Sequence, residues 1–260
     1  MQGAALPSPA METMTIETPG GPAEAWVARP QASEAVPGVL FVMDAIGLRP
    51  QIASMMERVA AWGFVVLAPN VFHRDGSIAE TSPSGDLRVP GAREAFFASV
   101  SPRIGHLTSD LALADLASYL DTVRTLPGVA AGPVGVTGYC MGVRIAIRAA
   151  GAFPDAVGAV GGWHGGGLVT PEPDSPHLSL ATATAAFAFG HATDDPSMPP
   201  EAVARLGAAL TAAGVRHTNE VFPGPHGYTM ADTSMYAPEA DALHWQRLEA
   251  LLRGTLATRR

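Results

Sequence analysis

The sequence predicts an α/β fold, a mostly parallel sheet of about seven or eight strands with helices on both faces. Two observations carry this. Short, wholly apolar runs recur along the chain, as suits strands buried on both faces. They alternate with longer stretches whose apolar residues return at helical spacing. A third observation locates the chemistry. A tight turn at residues 138–142 joins one such strand to the next helix and carries a cysteine between two glycines.

The elements follow in order. Residues 1–12 are expected to be a disordered tail and residues 13–260 a single domain. Thr13 to Thr18 and Ala23 to Arg29 flank Pro19-Gly20-Gly21-Pro22, which reads as two strands joined by a turn. Val39 to Met43 is a buried strand after Pro37-Gly38. Pro50 to Trp62 repeats Ile52, Met55, Met56, Val59 and Ala60 at helical spacing, and Gly63 closes it. Phe64 to Ala68 is the next strand, stopped by Pro69. From Val71 to Leu107 the chain is irregular and rich in Gly, Pro and Ser, with a helix around Arg93 to Ala98. Thr108 or Ser109 caps a helix through Leu126, ended by Pro127-Gly128. Strand Val134 to Thr137 and helix Met141 to Ala152 come next. Val157 to Gly162 and Ala185 to Phe189 read as strands, and Pro199 to Ala213 as a helix. Arg216 to Phe222 is the last strand and Pro238 to Arg253 the last helix.

The chain has 260 residues, 47% apolar and 15% charged, enough for one large core. Its net charge of −8 is spread along the chain, which argues against nucleic acid, since phosphate binding needs clustered Lys and Arg. One cysteine cannot form an internal disulfide. Met1 to Ala10 lacks the basic and apolar regions of a secretory signal, and no long apolar run suggests a membrane span. The expectation is a cytoplasmic monomer or homodimer that acts on a small molecule. No His or Cys cluster has metal-ligand spacing and no Gly-rich phosphate loop has its Lys, so no cofactor is expected.

Gly138-Tyr139-Cys140-Met141-Gly142 has the spacing of a nucleophile elbow, with Cys in the usual Ser position. Side chains at 138 and 142 would collide with the neighbouring strand and helix. The strained turn pushes Cys140 out above the sheet. A helix N-terminus at that point favours the thiolate. These features predict the α/β-hydrolase fold. A buried structural thiol is the bland alternative for a lone Cys. Its context makes Cys140 a nucleophile.

An elbow predicts an acid after a later strand and a His after the last one. His191-Ala192-Thr193-Asp194-Asp195 follows the strand that ends at Phe189, and His226 follows Pro223-Gly224-Pro225. His226 accepts or holds the thiol proton, and the acid fixes its tautomer. On residue chemistry alone Asp194 and Asp195 are equivalent, and one of them can simply cap the turn.

These segments resemble the dienelactone hydrolase family from about Thr13 to Leu252. The resemblance rests on Gly-Tyr-Cys-Met-Gly at 138–142, Met-Asp-Ala-Ile-Gly at 43–47, Ala-Pro-Asn-Val-Phe at 68–72, and the Asp and His segments. It implies the catalytic set Cys140, Asp195 and His226, with Asp195 chosen because the family's acid lies four residues before a Pro, here Pro199. It implies an oxyanion hole of the backbone amides of Ala45 and Met141. It also implies an acid, usually Glu, that hydrogen-bonds the resting thiol; Asp44 stands there and is one methylene shorter. Dienelactone-specific members hold the substrate carboxylate with two arginines. One of those positions is Met230 here, and the other falls to Arg93 or Arg103.

His164, in Trp163-His164-Gly165-Gly166-Gly167, and Tyr139 are further candidate contacts. A polar loop histidine is the ordinary alternative for His164. The function expected is hydrolysis of a small ester, enol-lactone or thioester through an acyl-Cys intermediate. The rival readings are a general carboxylesterase or thioesterase without dienelactone activity, and a non-catalytic binding protein on the same fold.

Overall fold

The computed structural model describes residues 11–256. Most of the tail expected at residues 1–12 lies outside these residues. Its last two residues do not behave as tail. Strand β1 (Met11–Thr18) pairs antiparallel with β2 (Gly21–Ala28), setting Met11 against Ala28 and Glu12 against Val27. An ion pair of Glu12 with Arg29 at 2.9 Å continues that register beyond the expected start at Thr13.

The remaining strands are β3 (Gly38–Val42), β4 (Val65–Pro69), β5 (Val134–Tyr139), β6 (Val157–Trp163), β7 (Ala186–Ala192) and β8 (His217–Phe222). All eight form one sheet in the order β1-β2-β4-β3-β5-β6-β7-β8. Pairing is antiparallel through β1, β2 and β4 and parallel from β4 to β8. This is the predicted mostly parallel sheet. Every residue of β3, β4, β5 and β7 is buried, which is why those runs are apolar without alternation. β1 and β8 mix exposed and buried residues, as sheet edges do.

Helices α1 (Pro50–Ala61) and α7 (Pro238–Leu256) cover one face of the sheet, joined by the edge-on rings of Trp62 and Trp245 at 5.7 Å. Helices α4 (Ser109–Thr125) and α5 (Gly142–Ala152) cover the other, and α6 (Pro200–Ala212) packs on β8. Thr108 caps α4 through its side chain, as its sequence signal predicts. No helix among the described residues is long and apolar enough to cross a membrane.

The stretch expected to be irregular departs most from expectation. It holds a single-turn helix α2 (Ile78–Thr81) and a fifteen-residue helix α3 (Ala92–His106). Pro102 lies inside α3, where it removes the backbone bond to Ala98. Only Val100 and Arg103 of α3 are buried. The helix therefore carries almost no apolar stripe, and periodicity had little to report.

Candidate active site

The parallel strands all end at one edge, and the loops leaving those ends meet there, as is general for open α/β sheets. Cys140 follows β5, Asp44 follows β3, His164 follows β6, Asp195 follows β7 and His226 follows β8.

Cys140 has φ of 52°, a left-handed conformation that costs energy for a residue with a side chain. The two glycines around it are required. A Cβ at Gly138 would lie 2.5 Å from the Gly142 carbonyl oxygen, and one at Gly142 would lie 2.6 Å from the carbonyl oxygens of Val42 and Met43. The expected collisions are thus with the start of α5 and with the β3 strand end. The turn sends the cysteine side chain toward the loop carrying His226.

Three side chains join in a line. His226 Nε2 lies 3.0 Å from Cys140 Sγ, and His226 Nδ1 lies 2.7 Å from Asp195 Oδ2. The other Asp195 oxygen accepts the Ser197 amide at 2.9 Å and the Ser197 hydroxyl at 2.6 Å. Every oxygen of this buried carboxylate therefore has a donor. Burial works to raise the Asp195 carboxyl; the bonds from His226 and Ser197 override it and hold it below its ordinary range. Burial also pulls the His226 imidazole down, but the Cys140 sulfur and the Asp195 carboxylate outweigh it and lift the pKa to about 10. Asp194, the equivalent candidate by chemistry, turns through φ of 53° and is exposed.

The amides of Ala45 and Met141, the expected oxyanion donors, make no hydrogen bond to a protein acceptor among the described residues. The Ala45–Ile46 segment is held from behind. Arg103 donates to the Ala45 carbonyl at 2.8 Å, to the Ile46 carbonyl at 3.3 Å and to the Thr81 carbonyl at 2.6 Å.

Several expected contacts are corrected by this geometry. Arg103 is buried against the Ala45–Ile46 carbonyls, its guanidinium 4.5 Å from the Phe72 ring, and does not border the cavity that holds Cys140. Tyr139 is wholly buried against α7. Its hydroxyl is 3.0 Å from His244 Nε2 of α7, and its ring stacks on Phe41 at 4.7 Å. Tyr139 is the last residue of β5, whereas Cys140 lies in the left-handed turn beyond it. Asp44 makes no hydrogen bond to the thiol. Arg49 takes both its oxygens, at 2.8 and 3.1 Å, and the Ile46 amide donates to one of them at 3.0 Å.

Asp44, Arg93, His164 and Met230 do border the same cavity as Cys140 and His226, together with Phe97 and Thr233. The cavity holds about 20 Å³, roughly one water. Arg93 lies over the Phe97 ring at 4.7 Å and has no carboxylate partner among the described residues. His164, with φ of 40°, stands edge-on to His226 at 5.4 Å. Its Nε2 is 2.8 Å from Thr229 Oγ1, and burial drives its pKa well down, so the ring is neutral. Met230 Sδ accepts from Arg49 Nη2 at 3.2 Å.

Sequence reasoning missed Arg49, Asp232, Ser197, Thr229 and Phe97. Ser197, two residues after Asp195, had a local signal as a partner for that acid. Arg49 and Asp232 had none, because 183 positions separate two residues that meet at 2.5 Å.

Comparison with known proteins agrees with this architecture. The sequence model of the Dienelactone hydrolase family matches residues 23–256. Two curated relatives carry the name "Putative carboxymethylenebutenolidase". The one from Synechocystis is 28% identical over 89% of this chain and 91% of its own. The one from Salmonella typhi is 29% identical over 90% of this chain and 83% of its own. Among solved structures, a "Putative Dienelactone Hydrolase" from Klebsiella pneumoniae superposes with a TM-score of 0.75 at 23% identity, covering 94% of this chain and 98% of that one. A dienelactone hydrolase from Anabaena variabilis gives 0.65 at 18% identity, covering 96% and 99%. These superpositions establish the α/β-hydrolase fold. With the family match over nearly the whole chain, they make this protein a member of the dienelactone hydrolase family, a family of hydrolases.

Proposed function

We propose that the protein hydrolyses a small carboxylic ester, enol-lactone or thioester through an acyl-Cys140 intermediate. The observation that carries this reading is the line from Sγ through the imidazole to Asp195, at 3.0 and 2.7 Å, at the edge where the strands end.

In the first half-reaction the Cys140 thiolate attacks the substrate carbonyl carbon. The carbonyl oxygen gains the negative charge and lies between the amides of Ala45 and Met141. The tetrahedral adduct collapses, the C–O or C–S bond to the leaving group breaks, and His226 Nε2–H protonates that group. In the second half a water takes its place. His226 accepts a water proton, hydroxide adds to the thioester carbonyl, and the C–S bond breaks to return the thiolate and release the acid. Asp195 holds the imidazole through Nδ1 throughout and offsets its charge. No cofactor enters the scheme.

The substrate is the narrower question. Met230 offers no charge where dienelactone-specific relatives place an arginine. The guanidinium beside it, Arg49, is already matched by two carboxylates. Arg93 is the cation left to meet a substrate carboxylate. This favours the second reading, a carboxylesterase or thioesterase of broader tolerance, over an enzyme that requires a carboxylated lactone.

Hydrolysis of 4-nitrophenyl acetate and of a carboxylated enol-lactone, measured side by side with mass spectrometry of the protein, tests both. The expected result is an acetyl group on Cys140 and faster turnover of the uncharged ester. Turnover of the lactone alone would refute the broader reading. Unchanged hydrolysis by Cys140→Ala would refute the acyl-cysteine route.

A further inference from the structure

Residues 44–47 are gripped by two buried arginines. Arg103 takes the carbonyls of Ala45 and Ile46. Arg49 takes both Asp44 oxygens and, at 3.0 Å, the Gly47 carbonyl. The same Arg49 guanidinium reaches Asp232 through Nε at 2.5 Å and Nη2 at 3.2 Å, and rests on Met230 Sδ. Asp232 and Met230 belong to the loop that begins at His226. Arg49 therefore ties together the two loops that flank Cys140. Both Asp44 oxygens accept from this guanidinium, and Oδ1 also accepts the Ile46 amide. Cys140 Sγ has one hydrogen-bond partner among the described residues, His226.

We propose that Arg49 is a positioning residue that withholds the Asp44 carboxylate from Cys140, so that the thiol is paired with His226 before any substrate arrives. The proposal rests on Cys140 being the reactive thiol. It goes beyond that reading by assigning the partner the thiol has before any acyl compound binds.

The charged and titratable groups that face the Cys140–His226 pair are Asp195 after β7, His164 after β6, Asp44 after β3, and Arg93 from α3, with Arg49 behind Asp44. Burial keeps His164 uncharged. Burial alone works against the Arg49 charge, but Asp44 and Asp232 secure it. Removing Arg49 changes that balance by freeing one buried carboxylate, Asp44, which borders the thiol's cavity, and one part-exposed carboxylate, Asp232.

Alkylation of the full chain by iodoacetamide without substrate, followed between about pH 5 and 9, reads the thiol directly. Arg49→Gln is expected to slow alkylation near neutrality by about tenfold and to move the profile to higher pH. Adding Asp44→Asn to that variant is expected to restore the wild-type profile. A merely structural arginine would not be rescued by losing its partner. Asp44→Asn alone is expected to alkylate within about twofold of wild type. This arm remains decisive if Arg49→Gln does not fold. Acceleration by Asp44→Asn alone would place the acid on the resting thiol and overturn the proposal. So would an Arg49→Gln protein with wild-type alkylation, or a slowed one that Asp44→Asn leaves slow. Ester hydrolysis is not the readout, so this proposal and the acyl-cysteine reading can fail separately.

Discussion

Two buried aspartates stand at the same sheet edge, and their partners give them different work. Asp195, in the loop after β7, spends one oxygen on His226 and the other on Ser197. Asp44, in the loop after β3, spends both on Arg49 and one of them also on the Ile46 amide. Burial is alike, at 7% and 3% exposure, so burial cannot be what separates them. The partner is. An imidazole can pass on a proton, and a carboxylate bonded to it tunes that transfer. A guanidinium in protein cannot, so Asp44 bonded to Arg49 becomes a structural strut for the loop that carries the Ala45 amide.

The sharpest way to break this contrast is to neutralise each acid in turn. Asp195→Asn is expected to lower kcat/KM for an uncharged ester by about 10³-fold, since the imidazole loses its tautomer lock and the partner of its charged form. Asp44→Asn is expected to cost about tenfold or less, because the loop retains Arg103 and the Ile46 bond has an amide oxygen to use. Equal losses in steady-state assays would erase the distinction.

A smaller effect is expected when the loop is loosened from behind. Arg103→Met keeps much of the apolar stem but loses the bonds to the Ala45 and Ile46 carbonyls. The Ala45 amide, the proposed oxyanion donor, is then less firmly placed, and kcat is expected to fall about tenfold with KM little changed. A change confined to KM would make Arg103 a matter of binding and not of loop position.

The smallest effect is on stability against pH. His226 is lifted above its ordinary value of 6.5 to about 10, so its contribution is whole below about pH 6.5 and is lost as pH climbs toward 10. Asp195 is held below its ordinary 3.8, so its contribution is present above that value and is lost as pH falls through the lower folded value. The melting temperature of the wild type is therefore expected to decline from pH 7 to 10 more steeply than that of His226→Gln. Parallel melting curves would show that the His226 shift carries no stability.

The sequence made the sheet and the Cys–His–Asp line legible for the same reason: both depend on local rules. Glycines at 138 and 142 mark an elbow, and a Pro-Gly after an apolar strand marks where a loop begins. What stayed hidden depends on direction or on distance along the chain. Tyr139 sits beside Cys140 in sequence, yet it still belongs to β5 and bonds to α7, while Cys140 lies in the left-handed turn beyond the strand. Arg103 had the right charge in the right neighbourhood and turned inward to three carbonyls. Helix α3 ran well past the expected Arg93 to Ala98, because its residues bury too little for an apolar period to form and Pro102 argues against it. The Asp44–Arg49–Asp232 bridge follows from no pattern, since it exists only once β3 and the loop after β8 have converged.

The cavity over Cys140 has room for about one water and is walled on one side by Arg93 and Phe97 of α3. That wall belongs to a helix that buries only two of its own residues, so the part of the fold least anchored to the core forms part of the surface an acyl group would meet.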